Sequence, residues 1–132
     1  MNTSNHYIYL NPEDYLPALG NALKSEAIWS VALNVLIEFQ FSVKQSNKLV
    51  LFLGYEDQRG KHKFPVEFIQ PDEIDEYLFS DLLLFPVRGS LSEVHLILSG
   101  VSEDAEVETG LFSAKVEESR SFIQNRSIKM VS

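Results

Sequence analysis

Cysteine is absent from the chain, which removes disulfide scaffolds, thiolate zinc sites, iron–sulfur clusters and thiol nucleophiles together. Histidine is scarce. His6, His62 and His95 are the whole supply, and no two stand at a His-x-His or His-x-x-x-His spacing. A metal site or a general base needs convergent partners on rigid elements, so the sequence points to no metal, no cofactor and no catalytic residue. The few glycines, at 20, 54, 60, 89, 100 and 110, are scattered. None falls into a Gly-x-Gly-x-x-Gly turn, a Gly-x-x-x-x-Gly-Lys phosphate loop or a Gly-x-Ser-x-Gly elbow. No apolar run approaches the ~18 residues of a membrane-spanning helix. Residues 1–10 have neither a basic segment nor an apolar one, as a secretory signal would, so the expected compartment is the cytoplasm. Positive charge is also in deficit: 11 Lys and Arg face 19 Asp and Glu, a net charge of -8. That balance argues against nucleic acid or an anionic membrane as the partner.

What is present is the material of one domain. The chain has 132 residues, 45% of them hydrophobic, with nine Phe, five Tyr and one Trp to fill a core. Residues 1–10 read as a flexible lead-in. Asn11-Pro12-Glu13-Asp14 has the chemistry of a helix start: a capping side chain, a proline at the first helical position and two acids at the positive helix end. Pro17 and Gly20 predict two short helices, or one kinked helix, rather than a smooth one. Residues 27–36 are almost wholly apolar. Their polar neighbours Glu26, Ser30, Asn34 and Glu38 recur every fourth position, which on a helix makes one narrow wet stripe. From Ile37 to Lys44 the period becomes two, a strand with one wet face. Residues 48–55 form a second strand, apolar on both faces and therefore central, and residues 64–69 a third, with Pro65 at an edge or bulge.

Gln70-Pro71-Asp72-Glu73 repeats the helix-start chemistry, and Ile74, Tyr77 and Leu78 share a helical face, so a short helix to about residue 79 is expected. Residues 82–87 and 92–99, joined by Arg88-Gly89-Ser90, read as a hairpin. The tail from 103 is compatible with helix over 114–126 or with strands over 105–116 and 122–130. The expected fold is a single α+β domain, with N-terminal helices packed on a curved, mainly antiparallel sheet made of a meander plus a hairpin. In element order it resembles two known architectures, the NTF2-like cone and the small acidic chaperones of type III secretion. The first implies a small-molecule site or an enzyme, with His95, Tyr55 and Glu67 as residues to inspect. The second implies a homodimer that holds an effector segment, with a seam around Trp29.

The charge map is lopsided. Residues 1–66 are balanced and residues 109–132 carry a small positive excess, whereas residues 67–108 hold eleven acids and one base, Arg88. Two clusters stand out: Asp72, Glu73, Asp75 and Glu76, and Glu103, Asp104, Glu106 and Glu108. If the second is extended, Asp104, Glu106 and Glu108 point to one side and repel. A calcium site would relieve that repulsion, but the EF-hand loop pattern is missing. The bland account is a solvated face that maintains solubility. The functional account is a docking face for a basic protein, where complementary potentials speed encounter and fix register. On that account the partner-binding residues are Asp72, Asp75, Glu76, Tyr77, Glu103, Asp104, Glu106 and Glu108, with Tyr77, Phe79 and Phe85 as nearby aromatic anchors. The function expected is a non-catalytic binding protein, monomer or homodimer, that caps a basic partner. Its most concrete form is a bacterial immunity protein opposing a nuclease toxin.

Overall fold

The structure, a computed structural model, describes residues 2–24, 27–70 and 72–121. It is a two-layer β-sandwich, not helices on one sheet. The strands are β1 (Thr3–Tyr9), β2 (Trp29–Gln45), β3 (Leu49–Asp57), β4 (Gly60–Ile69), β5 (Ile74–Val87), β6 (Glu93–Ser102) and β7 (Val107–Ser121). Sheet A has the order β1-β6-β3-β4 and sheet B the order β5-β2-β7, and every neighbouring pair is antiparallel. The helical content lies between β1 and β2: α1 (Pro12–Tyr15), a 3-10 turn (Pro17–Leu19) and α2 (Gly20–Lys24). Asn11 caps α1 by accepting from the Glu13 N–H at 3.3 Å. Among the described residues no helix is long and apolar enough to cross a membrane.

The expected fold class is therefore corrected, and the reason lies in a periodicity. Ser30, Asn34 and Glu38 are four apart, a spacing close to one helical turn of about 3.6 residues and equal to two strand repeats. On β2 they share the outer face, while Val31, Leu33, Val35, Ile37 and Phe39 alternate inward, each at most 1% exposed. β2 is central in sheet B, paired with β5 on one side and β7 on the other. The expected short helix after residue 71 is likewise the start of β5, whose 14 residues run through the predicted strand at 82–87. Its cross-strand pairing with β2, from Tyr77↔Phe39 to Val87↔Trp29, overrides a local helical pattern only a few residues long. The expected hairpin of 82–87 with 92–99 does not form, because β5 and β6 belong to different sheets. The expected flexible lead-in is β1, paired along β6 from Thr3↔Ser102 to Tyr9↔His95. The start of the tail is strand; the alternatives for 122–130 lie outside the described residues. The NTF2-like and secretion-chaperone resemblances rested on helices preceding the sheet, and they fall with that order.

The inner faces of both sheets meet in a single core. β3 contributes Leu49, Leu51, Leu53 and Tyr55, β6 contributes Val94, Leu96, Leu98 and Val101, and β5 contributes Phe79, Leu83, Phe85 and Val87. Among the described residues two polar side chains are buried with them, Gln45 where the chain passes from sheet B to sheet A and Asp57 at the β3–β4 turn of sheet A, beside the residue that follows β5. Asp57, at the end of β3, accepts from the backbone N–H groups of Arg59 (2.8 Å) and Arg88 (2.9 Å), from the guanidinium of Arg59 (2.8 and 3.1 Å) and lies 2.9 Å from His62 Nε2. Arg88 directly follows β5, so Asp57 ties sheet A to sheet B. At the other end Gln45, closing β2, accepts from Ser102 N–H (3.0 Å) and Ser102 Oγ (3.1 Å) on β6, and donates to Val43 O (2.9 Å). Burial alone pushes the Asp57 carboxyl up, but the donors from Arg59, Arg88 and His62 outweigh it and bring it down to about 2.

β5 is an edge strand, hydrogen-bonded to β2 alone among the described residues. At 81 the alternation holds but the chemistry breaks. Asp81 occupies the inward parity of Phe79 and Leu83, opposite Val35, yet it is exposed and its Oδ1 accepts from the Leu82 N–H at 2.8 Å.

Candidate functional site

Strand pairing brings together the two acidic clusters that the sequence separates. Gln40 of β2 pairs with Glu76 of β5 on one side and with Glu108 of β7 on the other, so Glu76, Gln40 and Glu108 form one row across sheet B. With neighbouring strands ~4.8 Å apart, the two carboxylate-bearing positions are about 10 Å apart. The flanking rows extend the set. Glu38 pairs with Leu78, and Ser42 meets Glu106, whose N–H donates to Ser42 Oγ at 2.7 Å and whose carbonyl accepts from Ser42 N–H at 2.9 Å. Even-numbered β2 positions face outward, so Glu38, Glu76, Glu106 and Glu108 share one end of the outer face of sheet B.

Local packing keeps this face crowded with oxygen. The Gln40 side-chain amide donates to Glu38 Oε1 at 2.9 Å, fixing that carboxylate against β7. Gly110 makes the room: a Cβ there would stand 2.4 Å from the same oxygen. Among the described residues none of these four glutamates is in a salt bridge. Two unit charges 10 Å apart in water repel by about 0.4 kcal/mol, and several such pairs act at once.

The other predicted residues surround this row unequally. Glu103 and Asp104 lie in the turn between β6 and β7, at the same end of sheet B, and are exposed. Asp72 is exposed in the bend that leads into β5, and Asp75 is exposed on its first turn of alternation. Tyr77 is different: it pairs with Phe39 and packs, half-buried, against the core. Phe79 and Phe85, the other two aromatic candidates, are buried core residues. The exposed apolar groups of β5 are leucines, and Val43 of β2 and Leu111 and Phe112 of β7 are exposed as well. Leu78, Leu82 and Leu84 on the outer face of β5 are 55%, 49% and 65% exposed, which is enough bare apolar surface on one edge strand to ask what covers it. Half-buried Leu36 stands beside them, across from Ser80. Sequence reasoning missed this row because it took 74–79, with Leu78, as helix and read 82–87 as a separate short strand without assigning its faces. Alternation of exposed Leu78, Ser80, Leu82 and Leu84 with buried Phe79, Leu83 and Phe85 was the signal available.

The residues proposed for an enzyme site are divided. His95 and Tyr55 border an open cleft on sheet A with Tyr7, Tyr9, Lys61 and Lys63. Glu67 is not part of its lining; it stands near Tyr77 instead, where its charge adds to burial in raising the phenol. Among the described residues no three His, Asp or Glu side chains gather as a metal site. No family model, no curated protein and no solved structure matches the chain.

Proposed function

We propose that the protein is a non-catalytic binding protein whose outer face of sheet B docks a basic partner protein. The observation that carries this reading is the row Glu76, Gln40, Glu108, which gathers acids from two distant segments beside the uncovered leucines of β5. Apolar anchors next to unneutralised charge are the anatomy of a docking patch: the leucines supply buried area and the carboxylates supply steering and register. The partner that fits is a lysine- or arginine-rich surface with an apolar centre. In its most concrete form this is a toxin-neutralising role, in which the acids oppose the cleft a nuclease uses for phosphates.

The test is a differential capture from lysate. The intact protein and a Glu76→Lys/Glu106→Lys/Glu108→Lys variant are compared at low salt and at about 0.5 M salt, where the Debye length falls to about 4 Å. A basic protein retained by the wild type, and lost both in the variant and at high salt, supports the reading. Identical sets of retained proteins on the two baits would refute it. A Leu82→Asp variant adds a second readout: it should weaken capture even at low salt, because the anchor and not the field is removed.

A further inference from the structure

Sheet A carries a separate feature on its own outer face. The register sets Tyr9, His95, Gly54 and Lys63 in one row across all four strands. Three of those positions bear long side chains and the fourth bears none. The imidazole of His95 occupies the space above the glycine, where a Cβ would stand 2.4 Å from Nε2. Tyr9 and Tyr7 flank it, with ring centroids 5.2 and 5.7 Å from the imidazole and 6.2 Å from each other. On the other side Lys63 Nζ stands 4.4 Å from the Phe52 ring centroid, and Lys61 borders the same hollow. The result is an open cleft of about 380 Å³ with an aromatic wall and a basic wall, and with the Glu93 carboxylate also on its lining, beside His95. That is near the lower end of small-molecule sites, roughly 300–1,000 Å³, and suits one or two fused rings.

Two details say that the cleft is not simply surface texture. His95 Nδ1 is buried and makes no hydrogen bond among the described residues; Glu93 Oε2 is 3.7 Å away. Buried polar atoms are nearly always paired, so this nitrogen stands as an unfilled position at the base of the cleft. Burial lowers the His95 pKa, and Lys63 and Lys61 push the same way against Glu93, so the ring is neutral at physiological pH and free to give or take one hydrogen bond. Tyr7 and Tyr9 meanwhile leave half or more of their surface to solvent, at 51% and 58% exposed.

We propose that this cleft binds a planar aromatic anion, its ring against Tyr7, Tyr9 and the His95 imidazole and its carboxylate or phosphate toward Lys61 and Lys63. Aromatic rings and a neighbouring pair of ammonium groups make demands on different parts of one small molecule. A neutral aromatic would leave the lysines idle, and an aliphatic anion would leave the rings idle. Two sources share this chemistry, a free aromatic carboxylate and a nucleoside monophosphate.

The experiment is a titration of the full chain, followed by the ring resonances of Tyr7, Tyr9 and His95. The probes are indole-3-carboxylate, adenosine monophosphate, neutral indole and a neutral disaccharide, each taken to millimolar concentration. Saturable shifts at all three rings with either anion are expected, and which anion binds tighter identifies the source. Tyr9→Ala should weaken the interaction by about tenfold, the scale of one aromatic stacking contact. Lys61→Gln/Lys63→Gln should abolish the preference for the anion over indole while leaving the backbone spectrum folded. Unmoved ring resonances with both anions would overturn the proposal, as would indole or the disaccharide binding as tightly as the anions. The charge-reversal variant of sheet B should titrate like the wild type, which keeps this test independent of the docking face.

Discussion

Asp57→Asn is the substitution that probes the sandwich most directly. It keeps the shape of the side chain, removes the charge and replaces one acceptor oxygen with a donor. The side chain of Asp57 is fully buried, and its two oxygens serve the Arg59 guanidinium, two backbone N–H groups and His62. An amide can satisfy only part of that set, and its NH2 must face donors whichever way it is turned. Arg59 also donates to Pro86 O at 2.9 Å on β5, so its displacement loosens a second tie between the sheets. Breaking a buried, hydrogen-bonded ion pair by removing one partner costs about 3–5 kcal/mol. Arg59 keeps partial exposure, at 30%, which places the expectation at the lower end, near 3 kcal/mol by the same rule. For a chain of this length that lowers the melting temperature by about 10 °C.

The wild type offers an independent check through pH. Asp57 titrates at about 2 in the folded protein against 3.8 for the ordinary carboxyl. At about 1.4 kcal/mol for each tenfold change in proton affinity, that gap contributes roughly 2 kcal/mol. A lowered folded value means the contribution is complete above 3.8 and disappears as the pH falls through about 2. Urea denaturation of both proteins, at neutral pH and down an acid series, measures the two effects together. The stability difference between wild type and Asp57→Asn should be largest at neutral pH and should shrink between about pH 4 and about pH 2. A difference below about 1 kcal/mol at neutral pH, or one that does not change on acidification, would refute the corner-tie account.

Three further outcomes can be stated. Gln45→Ala leaves the Ser102 N–H and hydroxyl without their acceptor at the opposite corner and should cost about 1–3 kcal/mol by chemical denaturation; a neutral result would mean that water takes the place of the amide. Gly54→Val must drive the His95 imidazole from its seat, lowering stability by about 1–3 kcal/mol and shifting the His95 ring resonances; unmoved resonances would refute the close approach. His95 has a lowered pKa, chiefly from burial with Lys63 and Lys61 against Glu93, so the unfolded chain takes its proton first and stability is lost as the pH falls below 6.5. His95→Asn should flatten that part of the stability profile, and an unchanged slope below pH 6.5 would refute the assignment.

Much of the strand content was legible. Residues 48–55 are apolar on both faces because β3 is interior to its sheet, between β6 and β4, and that pattern has one simple explanation. Pro65 signalled an irregularity, and the β3–β4 register shifts between Leu51 and Phe52, the residue that pairs with it. Helix and strand were confused at 27–36 because spacing by four satisfies both repeats, and only the neighbours β5 and β7 decide between them. The turn chemistry of Arg88-Gly89-Ser90 marks a reversal but does not say whether the next strand joins the same sheet. The acidic residues were visible individually. Their convergence was not, since it depends on Gln40 pairing with residues 36 positions ahead on β5 and 68 positions ahead on β7, which no local pattern encodes. The sheet A cleft was hidden for the same reason: Tyr9, His95, Gly54 and Lys63 come from four strands.

Asp81 has a consequence for how β5 can be used. A free strand edge bordered by bare leucines is a template for endless stacking of identical chains, the route by which sandwich proteins form fibrils. Adding a second β5 to this edge in antiparallel fashion near its midpoint would bring two copies of the Asp81 carboxylate close together over apolar neighbours, whereas a strand offering lysine or arginine at that position would find its counterion already in place. One carboxylate set at a core-facing position thus penalises the pairing of this edge with a second copy of itself.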